Sequence, residues 1–396
     1  MVSNLRREKP MVTKKMILNE TSYFGSGARQ MIAEEVKKRG FKKAFVVTDK
    51  DLVLCGVAEL VLTVLDAADI PFAVYDDVKQ NPTISNVQTG LKAFAESGAD
   101  FIVAVGGGSP IDTAKAIGII ANNPEHADVK SLEGETRTHR RSVPLIALPT
   151  TAGTASEVTI NYVITDPEQV KKMVCIDPND IPILAIVDAE LMVSMPEGLT
   201  AATGMDALTH AIEGYITKNA WEMSDFLELK AIQLIARHLK NAVKQPLNLE
   251  ARSGMALGQY IAGMAFSNVG LGIVHSMAHP LGAFYDTPHG VANALLLPYV
   301  MAFNKPAVGE KYRDIARAFG VTGIDDMSSE DAKNAAIQSV KRLSMDIGIP
   351  QALREINVNK DDFDRLALAA FNDVCTSGNP REVTPDDILG LYQEAF

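Results

Sequence analysis

The chain has 396 residues, 47% apolar and 22% charged, with a formal net charge of −11. This length asks for two domains rather than one core, and the composition excludes a disordered chain. The acidic balance excludes nucleic acid and anionic membrane surfaces as partners and leaves a small neutral substrate open.

The opening MVSNLRREKPMVTKK carries Arg6, Arg7, Lys9, Lys14 and Lys15 but no apolar run of signal-peptide type, so residues 1–14 read as a solvated, flexible arm. No apolar stretch is long enough to span a bilayer. After a helical run ending at Gly40, the strand AFVVTD lies in 41–49. Strands follow at 72–75, at 101–105 (running straight into Gly106-Gly107-Gly108) and at 143–148 (ending in Pro149-Thr150-Thr151). A hairpin is expected from 160–165 and 173–177 around Asp166-Pro167, and 183–188 closes the series. Helical segments lie between several strands, which predicts a mainly parallel sheet covered on both faces. Near Pro196 the pattern changes to successive helices, at 199–217, 220–244, 252–267, 331–347 and 362–372. This divides the chain into an α/β domain over 1–194 and a helical domain over 195–396, with a ligand site in the cleft between them. The three cysteines, Cys55, Cys175 and Cys375, form neither a CxxC pair nor a disulfide framework, which suits a reducing, cytoplasmic compartment.

Two turns carry the chemistry of the first half. In Val105-Gly106-Gly107-Gly108-Ser109-Pro110-Ile111-Asp112 the glycines allow backbone angles closed to other residues and leave room for a ligand. Ser109 reads as a helix N-cap, Pro110 as the first helical position and Asp112 as the partner in a capping box. The resulting helix start presents bare amides to a pyrophosphate. It is neither GxGxxG nor a P-loop, and a ligand-free strand-to-helix turn has the same local pattern. The second turn, Thr150-Thr151-Ala152-Gly153-Thr154, offers hydroxyls to phosphate or ribose. Asp49 ends a strand, where an acidic group either binds an adenosine ribose, favouring NAD over NADP, or caps a turn.

The second half holds a cluster of metal-ligand types. Asp206 and His210 are spaced i, i+4 in GMDALTHAIEGY, on one helical face. His275 and His279 repeat that spacing, and His289 follows after Pro280, Gly282 and Pro288, which are expected to break the helix and fold the chain back. One carboxylate with three imidazoles suits Fe2+ or Zn2+ with a position left open for a substrate oxygen. His126, His139 and His238 read as surface residues.

Four segments, GGGSPIDTAK (106–115), PTTAGTASEVT (149–159), GMDALTHAIEGY (204–215) and GIVHSMAHPLGAFYDTPHGVANA (272–294), together resemble the iron-containing (group III) alcohol dehydrogenase family. The resemblance runs from Lys15 to Phe396. It implies the dehydroquinate synthase-like fold, an α/β Rossmann-like N-terminal domain with a parallel sheet plus an all-α C-terminal domain, in a homodimer. It implies hydride transfer between NAD(H) and a small aldehyde or alcohol, with Fe2+ as the metal and Zn2+ as a possible substitute. It implies that Asp206, His210, His275 and His289 bind the metal and that His279 lies beside the nicotinamide on the proton path. It implies cofactor contacts at Asp49, Asn81, Gly107, Gly108, Ser109, Asp112, Thr150, Thr151, Thr154, Thr159 and Lys172. Asn161, Phe266 and Cys375 would line the substrate pocket, although spacing alone suits Phe266 and Cys375 equally to core packing. Residues 1–14 extend beyond the family's usual start, Ile111 stands where a more polar residue is expected, and the 244–252 loop is slightly longer.

Overall fold

The computed structural model describes residues 13–396, so the expected arm lies outside the described residues except for Thr13 and Lys14. Nine strands occur among the described residues: β1 (Thr21–Phe24), β2 (Ala44–Val47), β3 (Phe72–Tyr75), β4 (Phe101–Gly106), β5 (Gly134–Glu135), β6 (Leu145–Pro149), β7 (Asn161–Asp166), β8 (Lys171–Ile176) and β9 (Leu184–Val187). Six of them form a wholly parallel sheet in the order β1-β9-β6-β4-β2-β3. The unbroken apolar runs AFVV, FIVAVG, LIALP and LAIV explain this, because such strands must be covered on both faces, and every one of their residues is buried. Alternate residues of β2 serve two cores: Phe45 and Val47 face one, Ala44 and Val46 the other. The covering helices are α1 (Met31–Arg39), α2 (Lys50–Leu54), α3 (Val57–Ala67), α4 (Ile84–Ser97) and α5 (Gly108–Asn122).

The expected hairpin is present as β7 and β8, paired antiparallel, but it leaves the main sheet and joins β5 in a separate three-stranded one. Its sequence shows why. β7 alternates half-buried and buried residues, with Tyr162 and Ile164 turned into the core beside α5, so it needs cover on one face only.

Beyond β9 the described chain is helical: α6 (Glu197–Ile216), α7 (Glu222–Lys244), α8 (Leu249–Val269), α9 (Ile273–Tyr285), α10 (His289–Asn304), α11 (Lys311–Ala318), α12 (Ser329–Asp346), α13 (Phe363–Phe371) and α14 (Pro385–Glu394), with short 3-10 turns between. One large core unites them. The break expected between His279 and His289 is present, but it falls after Pro280. α9 runs through this proline to Tyr285, and the chain reverses only at Asp286 (φ 52) to Pro288. Pro280 removes one helical hydrogen bond, but residues 273–282 are all buried, and that packing holds the helix together. No helix among the described residues is long and apolar enough to cross a membrane.

Candidate active site

Asp49, the three glycines and the 150–154 turn sit at the carboxyl ends of β2, β4 and β6, which are not scattered but occupy one region of the sheet, with β4 between the other two. In parallel sheets ligands bind in the crevice outside those ends. The glycines serve close approach rather than unusual backbone angles, since none of Gly106, Gly107 and Gly108 has a positive φ. A Cβ on Gly107 would lie 3.0 Å from Thr151, and one on Gly108 would lie 2.9 Å from Thr154. The two turns therefore touch, and the amide of Thr150 donates to the Gly106 carbonyl at 2.9 Å.

The predicted capping box is absent. α5 starts at Gly108 with Gly107 as N-cap and no side-chain cap, so Ser109 lies inside the first turn. Asp112 does not reach back: its carboxylate accepts the Ser156 hydroxyl at 2.5 Å and the Val163 amide at 3.0 Å. It braces the crevice through these two bonds and also borders the cavity that the histidines line. The physical reason is tertiary: a neighbouring segment supplies better partners than the helix's own end. The bare amides remain, and a cradle that a Cβ would fill suits a pyrophosphate. Ile111 is buried in the sheet core and faces no ligand. Asp49 caps α2 by accepting the Leu52 amide at 2.9 Å through one carboxylate oxygen, and burial raises its pKa. Thr159 donates nothing outward, because its hydroxyl donates to the Asn161 carbonyl at 3.1 Å while accepting from the Lys115 ammonium at 3.1 Å.

Asn81 adopts a left-handed conformation (φ 55). Its side-chain oxygen accepts from the Lys172 ammonium at 2.6 Å, and its amide donates to Asp286 at 2.6 Å. Burial lowers the Lys172 pKa to about 8, against the pull of Asp286 and Asp112. Asp286, unmarked in the sequence, thus ties the α9–α10 turn to the mouth of the crevice.

The four expected metal ligands come together from three helices. α6 supplies Asp206 and His210, α9 supplies His275, and the first residue of α10 is His289. The Asp206 carboxylate lies 3.9 Å from His210 Nδ1, 4.0 Å from His275 Nε2 and 3.6 Å from His289 Nε2. Gly290 permits this approach, since a Cβ there would sit 2.3 Å from the Ala202 carbonyl oxygen of α6. Burial holds the three imidazoles below their usual pKa, His275 well below and His289 at about 4. Neutral imidazoles beside a carboxylate are the form a divalent ion binds. His210 Nδ1 is buried without a hydrogen-bond partner. One Asn293 amide stands within 2.7 Å of Asp206, 3.0 Å of His289 and 3.2 Å of His275, so these acceptors converge on one point. The donor set fits a metal.

Glu213 stands directly behind the cluster. It accepts His275 Nδ1 at 2.6 Å and the Val274 amide at 2.7 Å, which leaves His275 Nε2 turned to the cluster. Burial pushes its carboxyl up to about 7. Its place three residues after His210 in GMDALTHAIEGY was legible, and that of Asn293 four residues after His289 likewise.

His279 is held differently. Its Nδ1 donates to Asp373 at 2.7 Å, and its ring stacks on His289 with centroids 5.4 Å apart. Asp373 also accepts the Cys375 amide at 2.9 Å. A cavity of about 410 Å³ has Thr154, Thr159, Asn161, His210, Phe266, His275, His279, His289 and Cys375 in its wall. Asp49, Asn81, Gly107, Gly108, Ser109, Thr150, Thr151 and Lys172 stand outside that wall, and Asp206 does not line it. Phe266 fills both of its expected roles, being buried in the core while stacking on His210 at 4.2 Å. The Cys375 thiol is pushed well up by burial and is therefore a neutral wall. The side-chain oxygen of Asn161 is buried with no partner.

Residues 19–189 match the model of the iron-containing alcohol dehydrogenases, and residues 200–396 match that of the C-terminal part of the Fe-containing alcohol dehydrogenase family. The chain belongs to the iron-containing alcohol dehydrogenase family. It is an oxidoreductase acting on CH–OH groups, an alcohol dehydrogenase or aldehyde reductase. It is 59% identical to the lactaldehyde reductase of Escherichia coli (strain K12) over 97% of this chain and 100% of the relative. Its fold is similar to that of a crystallised 1,3-propanediol oxidoreductase, with TM-score 0.94 and 44% identity over 97% and 100% of the two chains. It is also similar to the sulfoacetaldehyde reductase of Bifidobacterium kashiwanohense solved in complex with NAD+, with TM-score 0.86 and 31% identity over 97% and 99%.

Proposed function

We propose that this family member interconverts lactaldehyde and 1,2-propanediol with NAD(H) and Fe2+. The observation that carries the substrate choice is the unpartnered, buried oxygen of Asn161 on the wall shared with His279 and the histidine cluster. A hydroxyl next to the aldehyde satisfies that acceptor, whereas a plain aldehyde leaves it unpaired. The 59% identity to lactaldehyde reductase supports the same choice.

In this reading Asp206, His210, His275 and His289 would hold the ion, and Zn2+ suits the same donors. When bound, such an ion supplies Lewis acidity to a carbonyl or alkoxide oxygen. A nicotinamide supplies the hydride. The amides of Gly107, Gly108 and Ser109, with the hydroxyls of Thr150, Thr151 and Thr154, bind the pyrophosphate. Asn81 and Lys172 hold the cofactor at the crevice mouth. Asp49 would accept from the ribose hydroxyls and repel a 2′-phosphate. Asp112 and Thr159 support this cradle from beneath. Asp373 fixes the proton of His279 on Nδ1, so Nε2 is the atom that gives a proton to the product oxygen or takes one from the alcohol. Phe266 and Cys375 keep water away from the reacting carbon.

The described residues up to 194 then form the cofactor domain and 195–396 the metal-binding one. A homodimer completes the molecule: β1 is an edge strand of the sheet, and Phe24 on it is exposed. The unpaired thiols of Cys55, Cys175 and Cys375 suit the cytoplasm. The test is NADH oxidation by the Fe2+-loaded protein with lactaldehyde, glycolaldehyde, 3-hydroxypropionaldehyde, propionaldehyde and butyraldehyde. Lactaldehyde should give the highest kcat/KM. A flat profile, or a preference for butyraldehyde, overturns the proposal.

A further inference from the structure

Lys115 lies on α5, two turns beyond the glycine cradle, and is wholly buried. Its ammonium donates to the carbonyl oxygens of Thr159 and Asn161, each at 2.7 Å, and to the Thr159 hydroxyl at 3.1 Å. All three N–H bonds are thus spent on one short segment. One turn earlier Asp112 takes the Ser156 hydroxyl and the Val163 amide. Two residues of the cradle helix therefore clamp both ends of the stretch that opens β7.

The geometry of this clamp is specific. The Thr159 carbonyl belongs to the peptide plane before residue 160, and the Asn161 carbonyl to the plane after residue 161. Anchoring both planes sets the backbone angles between them, and those angles aim the Asn161 side chain. Burying an ammonium is costly unless it is paired and hydrogen-bonded. Burial lowers the Lys115 pKa, opposed by Asp180, Asp112 and Glu157.

We propose that Lys115 is a positioning residue for the substrate: by clamping the Thr159 and Asn161 carbonyls to the cradle helix, it registers the Asn161 amide against the cofactor and thereby sets the preference for aldehydes that carry a neighbouring hydroxyl. The proposal rests on the reading of Asn161 as acceptor for that hydroxyl.

The test uses the Fe2+-loaded full chain and two substrates that differ by one hydroxyl, lactaldehyde and propionaldehyde. In Lys115→Met, kcat/KM for lactaldehyde falls about 30-fold, chiefly through KM, while that for propionaldehyde falls less than about threefold. NADH affinity stays at the wild-type value. Lys115→Gln, which keeps amide donors on a shorter arm, recovers part of the preference. Adding K115M to Asn161→Ala lowers the preference no further, because both act through one contact. A brace that serves stability alone lowers the melting temperature and both substrates in parallel, and that result overturns the proposal. If N161A abolishes the preference and K115M keeps it, the clamp fails and the substrate reading stands. If N161A keeps the preference, both fail. Should K115M not fold, K115Q carries the same comparison.

Discussion

Replacing Glu213 by glutamine probes the metal centre without touching any of its four ligands. In the native chain one Glu213 oxygen takes the His275 Nδ1 proton at 2.6 Å and the other takes the Val274 amide at 2.7 Å. Glutamine has one acceptor and one NH2, so one of these two buried donors must face another donor. It also removes the carboxylate charge that makes the imidazole a better ligand. Loss of such an outer partner weakens metal affinity about 10- to 100-fold, or about 1.4 to 2.7 kcal/mol. The measurement is anaerobic Fe2+ binding by metal-stripped protein against a competing chelator, for wild type and Glu213→Gln. Melting of the two apo proteins serves as the fold control. The expected result is weaker binding within that range, with turnover recovered at saturating Fe2+. Unchanged affinity in a folded variant would falsify the argument that Glu213 acts through His275, and so would activity that stays lost when the metal is saturating.

Three further outcomes follow from the same geometry. Asp373→Asn releases the His279 tautomer, so kcat should fall about 100-fold while NADH affinity holds; unchanged kcat removes His279 from the proton path. Lys172 loses its proton as pH rises through about 8, so NADH should bind more weakly above that pH, and Lys172→Met should bind with a flat profile; a wild-type dissociation constant constant from pH 7 to 9 contradicts the contact. Glu228 is fully buried with neither oxygen partnered, and burial raises its pKa well above 4.5. The native chain therefore keeps a proton that the unfolded chain releases, and stability falls as pH rises above the unfolded pKa, by up to about 1.4 kcal/mol per pH unit. Glu228→Gln should remove that slope, so its melting advantage over wild type should grow from pH 5 to pH 8; an advantage that shrinks with pH refutes the assignment.

Much of the architecture was legible because it depends on local pattern. Unbroken runs such as AFVV and LAIV specify strands buried on both faces, and β2, β4, β6 and β9 are such strands. The i, i+4 pair Asp206 and His210 needs only one helix to share a face. Local pattern failed wherever a distant segment competed. Ser109 and Asp112 have capping-box spacing, yet Asp112 is drawn to Ser156 and Val163. Pro280 has a breaker's chemistry, yet burial carries α9 through it.

The sequence by itself determined the residue types of the site, the helix faces that present them and the glycine cradle, since all of these follow from spacing within a few turns. Only the tertiary structure decided which groups support them. Asp373 lies 94 residues from His279, Asp286 lies 205 from Asn81, and Lys115 reaches residues 44 and 46 positions away. No periodicity encodes such pairings. They arise when each domain packs and, for Asn81 and Asp286, when the two meet, because each buried polar group must find a partner.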